Sequence, residues 1–340
     1  MLKIVIIVLA IIIAILFIIT KLILNQVFGK RCEGNPNLKY FTADDFEELD
    51  SKKIEFKSNK EQMLRGFIYT NKNIKEYKGI VVFVHGMGAG HLSYTTEINT
   101  FAKKGFMVIS YDNTGTCTSE GKGLKGFFQS VIDLKYALKY ISEDKDLNTY
   151  SITLVGHSWG AYTVCQELQY SPKVKGVVAM SGFNNSSQII CDSMKDMTKK
   201  NFIFLKPFIT ILNFITFGKA GIQNTVDILK KTEVPVLVLQ GDSDTSVALS
   251  NSLVSKKLED KSNIKTILYK GKNHNVYQTL ESEKYVTDTF AEIRNIGKQY
   301  KGKIPKEECE RLYGNIDYKK ITEEDAEVMN TIIKFLEEKM

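Results

Sequence analysis

Several chemistries are missing from this chain before any other becomes visible. Its five cysteines, Cys32, Cys117, Cys165, Cys191 and Cys309, are odd in number, widely scattered and form no C-x-x-C pair. They resemble neither a zinc site, a thiol-exchange motif nor a disulfide framework, so small buried or half-buried thiols are expected. No H-E-x-x-H occurs, and no His/Cys/Asp cluster has ligand spacing, so no metal is expected. No Lys/Arg-rich run with interleaved aromatics appears, which removes nucleic acid from the expected partners. Repeats and low-complexity segments are absent too. The formal charge of +7 is no counter-argument, because Lys3, Lys21, Lys30 and Arg31 precede the first acidic residue, Glu33. Removing those four leaves +3 for residues 32–340, an ordinary solvated surface.

What is present begins with a long apolar run. Ile4 to Ile19 contains no polar residue, and Leu22-Ile23-Leu24 extends it past Thr20 and Lys21. A helix of about 20 residues spans roughly 30 Å, the thickness of a bilayer's hydrocarbon core. Lys21 sits near enough to the end to place its ammonium at the interface. A cleaved signal peptide would want a shorter apolar stretch and a small-x-small site, which Thr20-Lys21-Leu22 does not offer. A buried core helix would show a polar stripe, and this run has none. Residues 1–24 are therefore read as a single-pass transmembrane anchor that makes the lipid bilayer a partner. Positive charge flanks both ends, so the sequence leaves open which membrane face carries the rest.

After a connector over residues 25–52, the 340-residue chain alternates in period. Lys53–Ser58 and Leu64–Thr70 read as an antiparallel hairpin across a polar turn. Nearly continuous apolar strands follow at Gly79–Val84, Phe106–Tyr111, Ile152–Val155, Gly176–Met180, Val236–Leu239 and Thr266–Tyr269. Such strands suit a parallel sheet covered on both faces. Helical stretches lie at Tyr94–Lys104, Phe127–Ser142, Trp159–Gln169 and Ser246–Leu258. The pattern predicts an α/β fold with a mostly parallel, eight-stranded sheet spanning residues 53–340. Two segments break the rhythm. Residues 184–232 are too long for a connection and read as a helical cap. A second insertion, about 282–320, precedes a final amphipathic helix at Thr322–Glu338.

The chemistry gathers at Gly156-His157-Ser158-Trp159-Gly160, between a strand and a helix. In G-x-S-x-G the glycines allow a sharp turn that lifts the serine Oγ clear of the sheet. A serine alcohol needs a base that is itself oriented by an acid. When the order is Ser, acid, His, chain order leaves only His274, because His85, His91 and His157 all precede Ser158. The acid should follow a late strand, where Gln240-Gly241-Asp242-Ser243-Asp244 offers two carboxylates. Asp244 is preferred, with Asp242 as a turn cap. Ser181-Gly182-Phe183, after the preceding strand, offers no acid. His85-Gly86-Met87-Gly88 fits an oxyanion loop, with the N–H groups of Met87 and Trp159 as donors and His85 as its brace. The same glycines superficially copy a dinucleotide-binding turn. His91 stands where the third glycine of G-x-G-x-x-G is required, so no cofactor is expected.

These residues resemble the α/β-hydrolase superfamily, in its serine aminopeptidase and monoacylglycerol lipase-like branch. The resemblance covers about Lys53 to Tyr277 and resumes at the last helix. Val84-His85-Gly86-Met87-Gly88 is similar to that branch's oxyanion loop, and Tyr111-Asp112-Asn113-Thr114-Gly115 with Ser119-Glu120-Gly121 to its fourth-strand loop. Cys117 replaces a glycine there, and the elbow ends Gly160-Ala161 rather than in a double glycine. The resemblance implies a cap after the sixth strand, matching 184–232. The expected function is a serine hydrolase acting on a small-molecule carboxylic ester through an acyl-enzyme on Ser158. Phe202, Phe204, Phe208, Phe214 and Phe217 of the cap point towards an acyl or lipid-derived ester. A thioesterase or serine peptidase on the same triad is the first alternative, and a non-catalytic membrane-bound interaction protein the second.

Overall fold

A computed structural model of the protein describes residues 1–88 and 90–340. The sheet has eight strands: β1 Leu49–Lys57, β2 Met63–Asn71, β3 Ile80–Val84, β4 Met107–Tyr111, β5 Ile152–His157, β6 Gly176–Met180, β7 Val236–Gly241 and β8 Ile264–Tyr269. Their order across the sheet is β1-β2-β4-β3-β5-β6-β7-β8. The β1–β2 and β2–β4 pairings are antiparallel and the rest parallel. This is the mostly parallel sheet that the apolar strands predict. β1 starts at Leu49, so the end of the connector joins the hairpin.

Alternate residues of the central strands feed two apolar layers. Ile80, Val82, Leu154 and Val177 meet helices α3 (Gln129–Glu143) and α4 (Trp159–Glu167) on one face. Val81, Phe83, Val155 and Val178 meet α2 (Thr95–Lys103) and the last helix, α11 (Ala326–Lys339), on the other. Every β3, β5, β6 and β7 residue except Ile152 is buried, as a sheet covered on both faces requires.

The N-terminal helix α1 runs Leu2–Phe28, beyond the 24 residues expected. It is long and apolar enough to cross a membrane. Between β6 and β7 lie α5 (Ser186–Thr198), α6 (Lys206–Phe217) and the short α7 (Thr225–Leu229). α6 packs against the second half of α1. Leu16, Ile23, Leu24 and Phe28 join an apolar cluster with Leu205, Ile209 and Phe217 of the cap. After β8 come α8 (Leu280–Gln299), α9 (Lys306–Gly314) and α10 (Tyr318–Ile321), which close a small core around Ile293, Leu312 and Ile316.

Two expected helices differ. Ser246–Leu258 forms only short 3₁₀ turns at Leu249–Asn251 and Lys256–Leu258. Its backbone is taken by the chain leaving β6: Asn251 O accepts from Asn184 N–H, and Leu253 N–H donates to Gly182 O. Tertiary hydrogen bonds here displace helical ones. The last helix starts at Ala326 rather than Thr322, because the Asp325 carboxylate caps the N–H groups of Glu327 and Val328. Glu323 and Asp325 instead bond the loop after His274, through Thr279 N–H and Tyr277 O.

Candidate active site

Ser158 sits between β5 and α4 with φ 55° and ψ −114°, a conformation uncommon for a residue with a Cβ. Two glycines make the turn possible. A Cβ on Gly160 would lie 1.9 Å from Val84 O, and one on Gly156 would lie 2.4 Å from the Gly160 backbone. Only glycine lets α4 approach β3 and β5 this closely. The Ser158 N–H is held by Met180 O at 2.8 Å.

His274 lies on the loop after β8, at the carboxyl edge of the sheet. Its Nε2 is 2.9 Å from Ser158 Oγ, and its Nδ1 is 2.9 Å from Asp244 Oδ2. Asp244 is the one of the two carboxylates after β7 that meets the histidine. Its Oδ1 accepts from the N–H groups of Ser246 and Val247, both at 2.8 Å, and its Oδ2 from Gln240 Nε2 at 2.7 Å. Burial pushes the Asp244 carboxyl up, but the His274 hydrogen bond and charge, with the two N–H donors, leave it below its ordinary range. Asp242 points elsewhere: its exposed carboxylate accepts from Gly271 N–H at 2.7 Å. It braces the start of the histidine loop. Thr245 N–H to Asn273 Oδ1, at 2.9 Å, ties the acid loop to that same loop.

Met87 lies on the loop after β3, half-exposed, and Trp159 opens α4 with its ring buried. Neither backbone N–H has an acceptor among the described residues. The loop beneath them is braced as expected of His85, whose Nε2 accepts from Asn113 N–H at 3.0 Å. Burial pushes the His85 imidazole below its ordinary range, with Asp112 opposing, so it stays neutral. The fourth-strand loop keeps its glycine-like shape despite the cysteine. Cys117 holds a left-handed φ of 39°, and its N–H bonds Cys32 O.

Sequence reasoning missed the network behind these groups. Gly86 N–H donates to Tyr94 Oη at 3.0 Å, and Tyr94 Oη is 2.9 Å from His157 Nδ1. His157 Nε2 is 3.0 Å from His274 O, which also accepts from Ser181 Oγ at 2.6 Å. Burial first, then the neighbouring His274, pushes the His157 pKa down to about 3. A neutral ring has one N–H. It goes to His274 O, a pure acceptor, and the Tyr94 hydroxyl then donates to Nδ1. Oxyanion loop, elbow and histidine loop are thus joined by one chain of hydrogen bonds. The elbow's x position and a tyrosine eight residues after Gly86 carry no pattern that marks them in the sequence.

The cap phenylalanines do not share one surface. Phe202 and Phe217 pack into the apolar cluster with Phe28 and Phe128, Phe208 is half-buried, and Phe204 and Phe214 are exposed. They therefore form no common wall. Among the described residues no group of three or more His, Cys, Asp or Glu is placed to hold a metal ion.

Residues 75–211 match the family model described as serine aminopeptidase, S33. Comparison with curated proteins finds no match. Among solved structures the chain is similar to an esterase from Pyrococcus furiosus, with 18% identity, 79% of this chain and 98% of that chain covered, and TM-score 0.57. It is also similar to an acylaminoacyl peptidase in complex with Z-Gly-Gly-Phe-chloromethyl ketone, with 18% identity, 67% and 38% coverage, and TM-score 0.52. A third is Est1E from Butyrivibrio proteoclasticus with ferulic acid bound, at 17% identity, 65% and 90% coverage, and TM-score 0.51. At these identities the likenesses establish the fold of the chain.

Proposed function

We propose that the chain is a membrane-anchored serine hydrolase of the α/β-hydrolase type that cleaves a carboxylic ester. One observation carries the reading: the unbroken series Ser158 Oγ, His274 and Asp244, with both contacts at 2.9 Å. His274 Nε2 takes the Ser158 proton as Oγ forms a bond to the ester carbonyl carbon. The carbonyl oxygen then carries negative charge, which the N–H groups of Met87 and Trp159 hold. Asp244 keeps the Nδ1–H tautomer and stabilises the imidazolium. The C–O bond to the alcohol breaks as His274 returns the proton to the leaving oxygen. Water, deprotonated by His274, then releases the acid from Ser158. The partners are a small-molecule ester and, through α1, a lipid bilayer. The packing of Thr20 and Phe28 against the cap and the catalytic domain supports a retained anchor over a removed leader.

A fluorophosphonate probe tests the nucleophile on the full chain. Wild type should label and Ser158→Ala should not. Unlabelled wild type would sink the enzyme reading, and equal labelling of the variant would sink the assignment of Ser158. A panel of p-nitrophenyl esters, thioesters and p-nitroanilides then tests the bond. The ester reading fails if the anilides or thioesters show the highest kcat/KM.

A further inference from the structure

The cap exposes apolar side chains in the one place where α1 says what covers them. Among the described residues after α1, twelve large hydrophobic side chains are exposed, and six of them fall between Met197 and Ile215. Ile211, Phe214 and Ile215, at helical spacing on α6, are 48%, 46% and 66% exposed, and Phe204 just before the helix is 53% exposed. The opposite side of α6, with Ile209 and the preceding Leu205, is buried in a cluster shared with Phe28 of α1 and with Phe128, Trp159 and Tyr162. A cluster of this kind on a folded surface marks a partner.

Depth follows from α1. A bilayer core of about 30 Å takes up about 20 helical residues, and Ile4–Leu24 supplies that length. Yet the half of α1 that meets the cap begins at Leu16 and continues through Thr20, Ile23 and Leu24. Thr20 is fully covered, and its hydroxyl donates back to Leu16 O at 2.7 Å. The level at which α6 touches α1 therefore lies inside the hydrocarbon layer that α1 needs. Leu212 and Thr216 of α6 line a cleft with Lys21, Leu24 and Phe28, so the two helices run side by side there. Exposed lysines bracket the flank, Lys199 and Lys200 before α6 and Lys219 after it. Long basic side chains at the ends of a buried apolar helix reach the headgroups.

We propose that the outer flank of α6, with Phe204, Ile211, Phe214 and Ile215, is a lipid-binding surface immersed in the acyl-chain layer beside α1. This rests on the reading of α1 as an anchor, and it makes the cap a second membrane contact. The occupant is the bilayer's acyl chains, since α1 brings no other apolar phase to this level. The consequence for the site is that an ester reaches the cap from the membrane side.

The full chain contains one tryptophan, the buried Trp159, so an added tryptophan can be read against wild type. Ile215→Trp, Phe214→Trp and, on the second insertion, Tyr300→Trp would be reconstituted in phosphatidylcholine vesicles with or without dibrominated acyl chains. Brominated lipid should remove about half or more of the added emission at 214 and 215 and leave that at 300 nearly unchanged. Vesicle-bound protein whose added emission at 214 and 215 is unquenched would overturn the proposal. So would emission that ignores bromine but shifts with protein density, which would place a second copy of the chain on the face. Protein that fails to float with vesicles would overturn the anchor and this surface together. Fluorophosphonate labelling, measured on the same samples, reports the catalytic reading separately.

Discussion

The two flanks of Ser158 are made of different materials. On the sheet side, Tyr94, His157, Ser181, Gln240 and Asp244 are polar, largely buried and bonded to one another or to the backbone of the reacting loops. On the cap side, apolar groups pack against α1 inside and face outward as Phe204, Phe214 and Ile215. The described cap residues include no histidine and no fully buried acid, Asp192 being only part-buried. Fixed hydrogen bonds hold atoms to fractions of an ångström, whereas apolar packing sets an environment and tolerates exchange. On the proposed reading, the sheet side would govern rate and the cap side would govern where substrate comes from. Substitutions on the two sides should separate these effects.

The largest effect belongs to the acid. Asp244→Asn leaves the shape but removes the charge and the tautomer control, and kcat should fall by about 10⁴-fold. Asp242→Asn, on the same loop, should stay within about threefold, because among the described residues its exposed carboxylate bonds only Ser243 and Gly271. Equal losses in steady-state ester hydrolysis would mean that the acid is misassigned. Next comes Tyr94→Phe. It strands the Gly86 N–H and His157 Nδ1 in a buried place, at a cost of about 1–3 kcal/mol. Because Tyr94 touches no reacting atom, kcat should drop about tenfold with KM little changed. A merely structural role would lower thermal stability and leave kcat intact.

Buried titratable groups make the sheet side the pH-sensitive one. Burial raises Glu167 from 4.5 to about 8 and Glu324 to about 7, and raises Glu97, which faces Glu324. These carboxyls keep protons that the unfolded chain releases at 4.5. Their contribution is complete below 4.5 and is lost as pH rises through 7 to 8. His157 runs the other way. Its pKa falls from 6.5 to about 3, so its contribution is complete above 6.5 and is lost as pH falls towards 3. Each group changes stability by at most about 1.4 kcal/mol per pH unit within its window. Between 4.5 and 6.5 the falling slopes of Glu167 and Glu324 outweigh the single rising slope of His157, so a decline is predicted there, steeper once His157 stops opposing it at 6.5 and levelling above about 8. Thermal inactivation midpoints from pH 4 to 9 check this, and Glu167→Gln should flatten the alkaline decline. A wild-type midpoint still rising between pH 7 and 9 contradicts it.

The same division explains what could be read from sequence. The strands were legible because burial on both faces writes continuous apolar runs. The elbow was legible because backbone crowding at Val84 and Gly160 admits only glycine. The pairing of Asp244 rather than Asp242 with His274 followed from loop geometry. The Tyr94–His157 network was not legible, since neither residue type nor spacing signals a hydrogen bond made across 63 positions. Ser246–Leu258 reads as a helix because its composition says nothing about Asn251 O being taken by Asn184 N–H or Leu253 N–H being taken by Gly182 O. The cap phenylalanines were visible as apolar, but periodicity over a short helix does not say which flank meets protein and which meets lipid.

The smallest expected effect is also the most discriminating. Phe214→Ser removes an exposed ring, so stability in detergent should change by no more than about 0.5 kcal/mol. The kcat/KM for p-nitrophenyl acetate should stay within about twofold, because among the described residues no hydrogen bond joins α6 to the triad. For a long-chain ester presented in vesicles, the same substitution should lower the rate several-fold, and Ile211→Ser with Ile215→Ser should deepen the loss. If soluble and vesicle-borne esters slow together, the cap acts on the triad itself, and the separation of the two flanks fails. Should neither slow, the outer flank of α6 has no part in delivering substrate, while the anchor and the triad stand as they are.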